Sequence, residues 1–529
     1  MSARASFPSG IWGTDSFWST DAAGTSATAN TVTTAFDTLT FSAGTDATGS
    51  YAITVNGSQN ARSISVEEGT VAFAGGTVAL GTGGGISVAA GAENTTISSN
   101  LSIAGGQTFD VGTGRTLALD TGTFTRGTGT SRAVLNVQGG GTVTSTMTNL
   151  STNNAAGIIG AWATVGTGAA TRYATFSGNT ITSLTGTAAA SASNVTDTTG
   201  LVNYDLASGT GSLPGTISAN TIRYSGPGDI TTLGTTSFAA NGLMNAGSGP
   251  WNISSSIRRT IGADRELVIQ PASNDIAISS VIQNNSGGAS VVTKTGSGTL
   301  FLTGANAYTG STAILAGTLS VSTVSNGGAA GGLGAASANA INLVFGDGTL
   351  QYTGTTSSTN RAFTVNGNAG FDVTESATNL TFTSASNGQG AIAKSGAGTL
   401  TFAGNNLHAG ATAVNAGTLV LDYSATNTGK LSDSAALTLG SSTLQLDRAS
   451  GASGTHLEIV GSTTISGGAK VTRSSGSTAV LQMNAISRNA GGSVNFDQSG
   501  IATTDTTNSN GILGPWATLG RRGRKRRIR

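Results

Sequence analysis

The chain has 529 residues, of which 80 are glycine, 6 are proline and none is cysteine. Only 9% of the residues are charged, against about 25% in a typical soluble domain, so the chain cannot cover the outer faces of helices with charge. A hydrophobic fraction of 37% and a formal charge of +1 argue against disorder, which usually combines low hydrophobicity with high net charge. The lack of cysteine excludes disulfides, thiolate metal sites and a cysteine nucleophile.

The N-terminal residues carry no recognisable export signal. Residues 1–18 lack the apolar run that a signal peptide needs, and no stretch of the chain approaches the ~20 apolar residues of a membrane-spanning helix. We therefore predict no membrane span, and we interpret residues 1–45 as an N-terminal cap and entry segment. Trp12 and Trp18 are expected to lie in this cap, whereas Trp162 and Trp516 belong to a repeated motif and are expected to be structural.

From about residue 50 the sequence consists of short runs in which apolar and small polar residues alternate, separated by glycine or asparagine. This alternation has a period of two and predicts β-strands, and no stretch predicts an amphipathic helix. The clearest early runs are 63–66, 70–73, 77–80, 86–88, 108–111 and 116–119.

An internal repeat decides between the all-β architectures that such strands allow. The segment 294–306 (KTGSGTLFLTGAN) recurs 100 residues later as 394–406 (KSGAGTLTFAGNN), and Ala-Gly-Thr-Leu at 316–319 recurs at 416–419. Within each copy the Gly-Thr-Leu strand appears twice, 19 residues apart. Three short strands and their turns take roughly 19 to 25 residues, which is one coil of a parallel β-helix.

These spacings predict an all-β chain that folds as a parallel β-helix (solenoid) of about 20 rungs over residues 46–520. Leucine, valine, isoleucine and phenylalanine are expected to stack inward, threonine and serine to face outward, and glycine or asparagine to form the corners. The clearest repeats are predicted at 289–321 and 389–421.

The tail at 521–529 differs in composition from everything before it. It holds seven of the 25 basic residues, which leaves 18 basic against 24 acidic residues elsewhere, a body of net charge −6 without an electrostatic footprint for nucleic acid. The motif at 154–165 recurs at 508–519, where the second copy runs directly into the tail. We interpret 521–529 as a non-native reading frame or a disordered segment; binding of nucleic acid or anionic lipid is the alternative.

The segment from Lys294 through Gly304, Asn306 and Tyr308-Thr-Gly310 to Ala316-Gly-Thr-Leu319 closely resembles the autotransporter-associated β-strand repeat, also called the passenger-associated transport repeat. The second copy departs at 407–410, where Leu-His-Ala-Gly replaces the expected Tyr-Thr-Gly. The resemblance implies a right-handed β-helix and export to the bacterial surface or exterior. It often implies a C-terminal translocating barrel as well, which this chain does not show.

Catalytic candidates are scarce. The two histidines, His408 and His456, exclude a histidine-rich metal site and leave only two centres for a serine triad. We expect His408 to be a surface turn residue and His456 a similarly placed strand residue. No nucleophile elbow, dinucleotide fingerprint or P-loop is present.

Acidic groups on one strand face are the signature of the β-helix enzymes that degrade polysaccharides. The candidates are Glu67-Glu68, Asp447-Arg448 and Asp264-Arg265-Glu266, each an isolated group that we expect to lie at a solvated corner. Asp347 is a single turn aspartate whose counterpart is Ser441, so repeat-based calcium binding is not expected.

The sequence therefore predicts a surface-exposed or secreted passenger, a structural or adhesive scaffold without catalytic, cofactor or metal sites. The alternatives are a polysaccharide-degrading β-helix enzyme and a stalk that only assists export. We expect a monomeric rod, with carbohydrate or other cell-surface molecules as the possible ligands and no nucleic-acid partner.

Overall fold

The computed structural model describes residues 2–3, 9–16, 18–19, 32–41, 48–232, 237–254, 259–447, 456–508 and 512–520. The basic tail at 521–529, Arg448 and parts of the predicted cap lie outside these residues. The chain forms two compact units. Unit 1 comprises Met1–Leu300 with Leu315–Gly317, and unit 2 comprises Phe301–Ile314 with Thr318–Arg529.

The described residues form β-strands and four short 3₁₀ turns. The 3₁₀ turns are Gly129–Ser131, Gly168–Ala170, Ala192–Asn194 and Ala340–Asn342. The strands up to residue 183 are Ser2–Ala3, Ser9–Trp12, Trp18–Ser19, Thr38–Phe41, Ser50–Val66, Gly69–Val88, Ala92–Ile97, Asn100–Ile103, Gly105–Val111, Thr116–Leu119, Phe124–Arg126, Ala133–Gly139, Thr142–Ser145, Ala163–Val165, Arg172–Ser177 and Thr180–Ser183. The strands from 187 to 294 are Thr187–Ala189, Asn203–Leu206, Ile217–Ser218, Thr221–Tyr224, Ile230–Thr232, Phe238–Ala240, Gly242–Asn245, Trp251–Ser254, Arg259–Ile261, Glu266–Pro271, Ile276–Ile278, Ile282–Gln283 and Val291–Lys294. The remaining strands are Thr299–Leu302, Thr312–Val321, Leu343–Tyr352, Ser357–Thr359, Phe363–Val365, Ala369–Val373, Asn379–Phe382, Ser386–Gly388, Ile392–Ser395, Thr399–Phe402, Thr412–Asp422, Ala436–Asp447, Leu457–Ile459, Ser462–Ile465, Gly468–Arg473, Val480–Gln482, Ala485–Arg488, Ser493–Phe496, Ala502–Thr503 and Ala517–Leu519.

The alternating sequence pattern produces the predicted inward and outward faces. In Thr116–Leu119 the two leucines are buried, whereas Thr116 and Ala118 are partly exposed. The strand Asn379–Phe382 shows the same pattern. Burying every second side chain against the adjacent coil removes apolar surface from water, which stabilises the fold by about 25 cal/mol per Å² of buried apolar surface. The described strands are stacked as β-solenoid coils, about 20 turns in all, which confirms the predicted all-β solenoid class.

Unit 1 begins with a parallel ladder, here called the first ladder (residues 38–165). Successive coils pair in parallel, with offsets of 19 to 28 residues that reflect corner loops of different lengths. One inward column shows the stacking of buried side chains from coil to coil: Leu39, Ile64, Ile86, Phe109 and Val137. Before the first ladder, Trp12 packs edge-on against Trp18 with ring centroids 5.9 Å apart, and both side chains are buried.

The parallel ladder is interrupted after residue 165. The strand Arg172–Ser177 pairs antiparallel with both Ala163–Val165 and Thr180–Ser183. Parallel pairing resumes at Thr187–Ala189 in a second ladder (residues 187–294). The predicted solenoid range of 46–520 therefore contains a break, which falls where the Ser-, Thr-, Asn- and Gly-rich segment 149–171 lacks a regular alternation.

In unit 2 the repeat spacing appears directly in the register. Thr399 pairs with Thr418 and Leu400 with Leu419, which confirms the 19-residue coil predicted for the second copy. The later coils are longer, because Leu419 pairs with Leu444 and Leu444 with Val471. In the coils that precede Thr399, neighbouring phenylalanines pack against one another in the core. The ring centroids of Phe371 and Phe382, for example, lie 5.6 Å apart.

A buried asparagine ladder fixes one corner of the second ladder. The Asn220 side-chain amide donates to Asn203 Oδ1 at 2.7 Å, and the Asn241 amide donates to Asn220 Oδ1 at 2.9 Å. Asn241 Oδ1 in turn accepts from the backbone N–H of Asp264 at 3.1 Å. Each amide supplies both a donor and an acceptor, so one residue type satisfies the same corner in consecutive coils.

Replacing Asn220 by leucine is expected to destabilise these coils by about 1–3 kcal/mol, because the buried Asn241 amide loses its acceptor. Hydrogen exchange of the amides in 203–245 measures the loss. The matched control is Asn179→Leu, at an exposed position in the same unit, with an expected change of under about 0.5 kcal/mol. Equal protection in both variants would contradict a stabilising role for the ladder.

Candidate functional site

The repeat lysines are buried inside the solenoid. Lys394 lies in an inward column between Phe371 and Val414, and no part of it is exposed. Its Nζ donates to the backbone carbonyl of Ser395, to that of Gly396 at 3.0 Å and to that of Ala416, one coil further on, at 3.3 Å. The lysine of the repeat therefore connects two successive coils at a turn.

Lys294 repeats this geometry in the first copy. Its Nζ donates to the carbonyls of Thr295 at 3.0 Å, Gly296 at 2.9 Å and Ala316 at 2.9 Å. Burial lowers the pKa of Lys294 to about 7 and that of Lys394 to about 8. Three carbonyl acceptors around each amine explain why the repeat tolerates a buried lysine, and they leave no room for a substrate.

His408 takes the place that Tyr308 has in the first copy. The Tyr308 hydroxyl bonds Thr312 Oγ1 at 2.7 Å, and His408 Nε2 bonds Thr412 Oγ1 at 3.2 Å. The expectation of a surface turn residue was wrong, since His408 is 2% exposed. Burial lowers the pKa of His408 to about 4, so the ring is neutral at physiological pH.

The other histidine belongs to a buried network around Glu458. This carboxylate accepts from the Lys430 N–H at 2.9 Å, the Leu431 N–H at 2.6 Å and the Tyr423 hydroxyl at 2.8 Å. His456 Nε2 lies 3.2 Å from Glu458 Oε2, and its ring lies 4.0 Å from that of Tyr423.

His456 is therefore a buried residue that immediately precedes the strand Leu457–Ile459, and the expectation of an outward strand residue was wrong. Burial is the main factor that raises the pKa of Tyr423 well above its usual value, with the nearby Glu458 carboxylate adding to the effect. The Glu458 network fixes the backbone at Lys430 and Leu431 to the strand Leu457–Ile459, and its burial closes it to a ligand.

The acidic candidates do not form one site. Glu67 and Glu68 lie in the short turn between two long strands, where they are half-buried rather than fully solvated. Asp347 accepts from the N–H and the side-chain amide of Asn368 at 2.9 and 2.8 Å. Asp447 ends its strand opposite Asp422 on the neighbouring coil and accepts from Gln445.

Glu266 departs most from expectation, because it is buried rather than part of a solvated corner. Although burial favours its neutral form, the guanidinium groups of Arg126 and Arg132 lower the pKa of Glu266 below its usual value. The nearby Asp264 behaves oppositely, since burial and the Glu266 charge raise its pKa. Among the residues that the structure describes, no three histidine or acidic side chains are grouped to hold a metal ion.

The surface feature that fits ligand binding is a groove on the outward sheet face of unit 2. Its central column runs across five consecutive coils in register: Thr418, Thr443, Lys470, Asn495 and Thr518. The groove has a volume of about 730 Å³ and is also lined by Gly417, Gly468 and Asp497. We call these lining and column residues the polar groove.

Asp497, next to the central column, takes part in the charged contacts of the polar groove. Thr472 Oγ1 donates to Asp497 Oδ2 at 2.7 Å, and Lys470 Nζ lies 3.6 Å from the same oxygen. In the central column, Thr518 Oγ1 donates to Asn495 Oδ1 at 2.8 Å. The face therefore offers hydroxyl, amide, ammonium and carboxylate groups in neighbouring coils, about 4.8 Å apart.

Sequence reasoning predicted outward threonines but not the polar groove. The coils that form it are separated by 25, 27, 25 and 23 residues, so no fixed period brings Thr418, Lys470 and Asn495 into one column. The available signal was the Gly-Thr-Leu strand and its later equivalent at Ser-Thr-Leu-Gln, 442–445. Assigning the following coils requires the observed strand register.

Comparisons with known proteins agree with this architecture. The model of the passenger-associated-transport-repeat matches residues 292–321 and 392–421. The fold and these matches define a β-solenoid protein that carries two passenger-associated transport repeats.

The chain is also 29% identical over 355 residues to the adhesin BmaC autotransporter of Brucella suis biovar 1 (strain 1330). This similarity covers 64% of the chain but only 9% of that protein's length. No solved structure matches the chain significantly. In the described part of the chain, no helix is long and apolar enough to cross a membrane.

Proposed function

We propose that this chain is part of an autotransporter-type passenger, exposed on the outer-membrane surface or in the extracellular space, where it serves as an adhesive scaffold without catalysis. The observation that carries the proposal is the polar groove, a ligand-sized surface on a rigid solenoid that contains two passenger repeats. The similarity to a protein named as an autotransporter adhesin supports the same role. A right-handed winding is part of the proposal, because parallel crossovers are right-handed in about 98% of cases.

Carbohydrate is the ligand class that the polar groove fits best. Its column contains hydroxyl and amide groups with a single ammonium, so it matches a ligand rich in hydroxyls better than a highly charged one. Polar groups also recur at the coil spacing of about 4.8 Å, which is close to the length of one sugar residue in an extended glycan.

The burial of the histidines favours binding over catalysis. Both His408 and His456 are enclosed by the core, and the acidic residue of the polar groove, Asp497, is paired with Thr472 and Lys470. A carbohydrate-degrading enzyme places several acidic groups on one exposed face. The chain is therefore proposed to hold a glycan without cleaving it, and to do so as a monomer, which light scattering of the purified chain would test.

A glycan array probed with the purified full chain tests this function. We expect binding to extended neutral or weakly charged glycans, and at least a tenfold loss of affinity in Lys470→Ala and Asn495→Ala, about 1.4 kcal/mol for each lost polar contact. The control is Ser487→Ala, at an exposed position outside the polar groove. Absence of glycan binding would reject carbohydrate as the ligand, and release of shorter sugars would establish the enzyme instead.

A further inference from the structure

Unit 1 contains a buried ion cluster that joins its two ladders. The Glu266 carboxylate accepts two hydrogen bonds from Arg126, at 2.9 and 3.0 Å, and one from Thr293 at 2.6 Å. Arg132 Nη1 lies 3.2 Å from Glu266 Oε1. Glu266 belongs to the second ladder, whereas Arg126 and Arg132 lie in the first, so the cluster bridges residues 140 positions apart. We call it the Glu266 clamp.

The contacts between the ladders follow a reversed order. Asn203, early in the second ladder, donates from its side-chain amide to the Ala156 carbonyl of the first ladder at 2.6 Å. Glu266, three coils further, meets Arg126.

The trend continues at the end of unit 1, where the Leu315 carbonyl lies 3.6 Å from the place that a Cβ on Gly106 would take. As the second ladder advances, its partners in the first ladder move backward along the chain. The second ladder therefore folds back alongside the first, and the chain reverses direction between the strands Thr180–Ser183 and Thr187–Ala189.

The two ladders are joined differently from the coils within each ladder. Among the described residues, no strand pairing connects the sheet that ends at Thr180–Ser183 with the sheet that begins at Thr187–Ala189. Within the first ladder, by contrast, Gly105–Val111 pairs with Ala133–Gly139 along its whole length. The junction therefore depends on side chains, chiefly the Glu266 clamp and the Asn203 amide that donates to the Ala156 carbonyl.

We propose that unit 1 is a closed hairpin of two solenoid ladders that opens under tension before either ladder unravels, with the Glu266 clamp as the element that holds it shut. Side-chain contacts yield first because a ladder must break many backbone hydrogen bonds together, whereas the junction separates by losing a few local contacts. An opened hairpin lengthens the chain between its two ends without unfolding the coils. The junction is thus an extensible element, whichever ligand the polar groove binds.

A force experiment on the full chain tests the proposal. The chain has no cysteine, so cysteines introduced at the exposed Ser58 and Ser297 provide unique handles on the two ladders. We expect a first reversible extension step at low force, followed by separate steps for rupture of the coils. A chain in which the coils rupture first, or in which the hairpin never opens as a separate step, would overturn the proposal.

Variants of the Glu266 clamp test whether this cluster controls the first extension step. Glu266→Gln removes the charge that Arg126 and Arg132 share, and we expect the ratio of open to closed hairpin to rise about a hundredfold. The matched control is Glu93→Gln, which breaks the exposed pair of Glu93 with Arg115 in the same unit and is expected to leave the step unchanged.

A second experiment measures the distance between the two ladders in the absence of force. Spin labels at the exposed Ser131 and Ala263, near the two sides of the clamp, are expected to give one short distance in the parent chain and an added long distance in Glu266→Gln. Identical distance distributions in the parent, Glu266→Gln and Glu93→Gln chains would exclude the clamp as the closing element.

Discussion

Replacement of Lys394 by methionine is expected to destabilise its coils by about 2–4 kcal/mol, although the new side chain is apolar and similar in length. The methyl group cannot donate to the carbonyls of Ser395, Gly396 and Ala416, which lie in a half-buried turn. Burying such acceptors without a partner costs more than is gained by removing one buried charge. Hydrogen exchange of the amides in 392–421 measures the effect locally.

Two comparisons separate this effect from the general cost of losing a lysine. Lys470→Met removes a lysine whose side chain is 45% exposed and paired only at 3.6 Å, so a change of under about 1 kcal/mol is expected. When Lys294 and Lys394 are both replaced by methionine, the loss in the free energy of unfolding should equal the sum of the two single losses within about 0.5 kcal/mol, because their acceptors are different residues. A neutral or stabilising Lys394→Met would show that the carbonyls need no donor.

The second large effect is a loss of stability in mild acid that originates at His408. Burial holds the pKa of this ring at about 4 in the folded chain, against 6.5 as its usual value. Between these two pH values the unfolded chain binds a proton that the folded chain does not, so the free energy of unfolding falls as the pH falls. The loss is complete below pH 4 and amounts to about 3 kcal/mol.

The variant His408→Gln isolates this contribution. Glutamine is neutral at every pH and retains groups that can bond Thr412 and Ser386, the two side-chain partners of His408. Urea unfolding gives the free energy of unfolding of both chains from pH 7 to pH 4. As the pH falls, the parent chain should lose more of this free energy than His408→Gln does, so the variant becomes more stable relative to the parent. A difference that stays constant over this range would mean that His408 is not protonated on unfolding.

The regular parts of the fold are predictable because one physical rule governs them. A period of two places Leu400 and Leu419 inside and Thr399 and Thr418 outside, and a 19-residue spacing stacks them in consecutive coils. The same rule also places Lys394 inward, although its polarity alone would assign it to the surface. Its carbonyl partners belong to a turn that forms only when the coils are stacked.

The polar residues of unit 1 and unit 2 show why the remaining features were not predictable. Glu266 appears in the sequence as an isolated acid beside Arg265, yet its partners are Arg126 and Arg132. That pairing depends on the chain reversal near residue 185, which no local pattern encodes. Likewise, the column from Thr418 to Asn495 depends on loop lengths that shift the register by different amounts in each coil.

The central claim is that this chain is an adhesive surface passenger, and a bead adhesion assay tests it most directly. Beads coated with the full chain are incubated with host cells, next to beads coated with the Lys470→Ala and Ser487→Ala variants. We expect saturable adhesion that soluble chain inhibits, that Lys470→Ala loses and that Ser487→Ala retains. Adhesion of the parent beads no greater than that of uncoated beads would contradict the account.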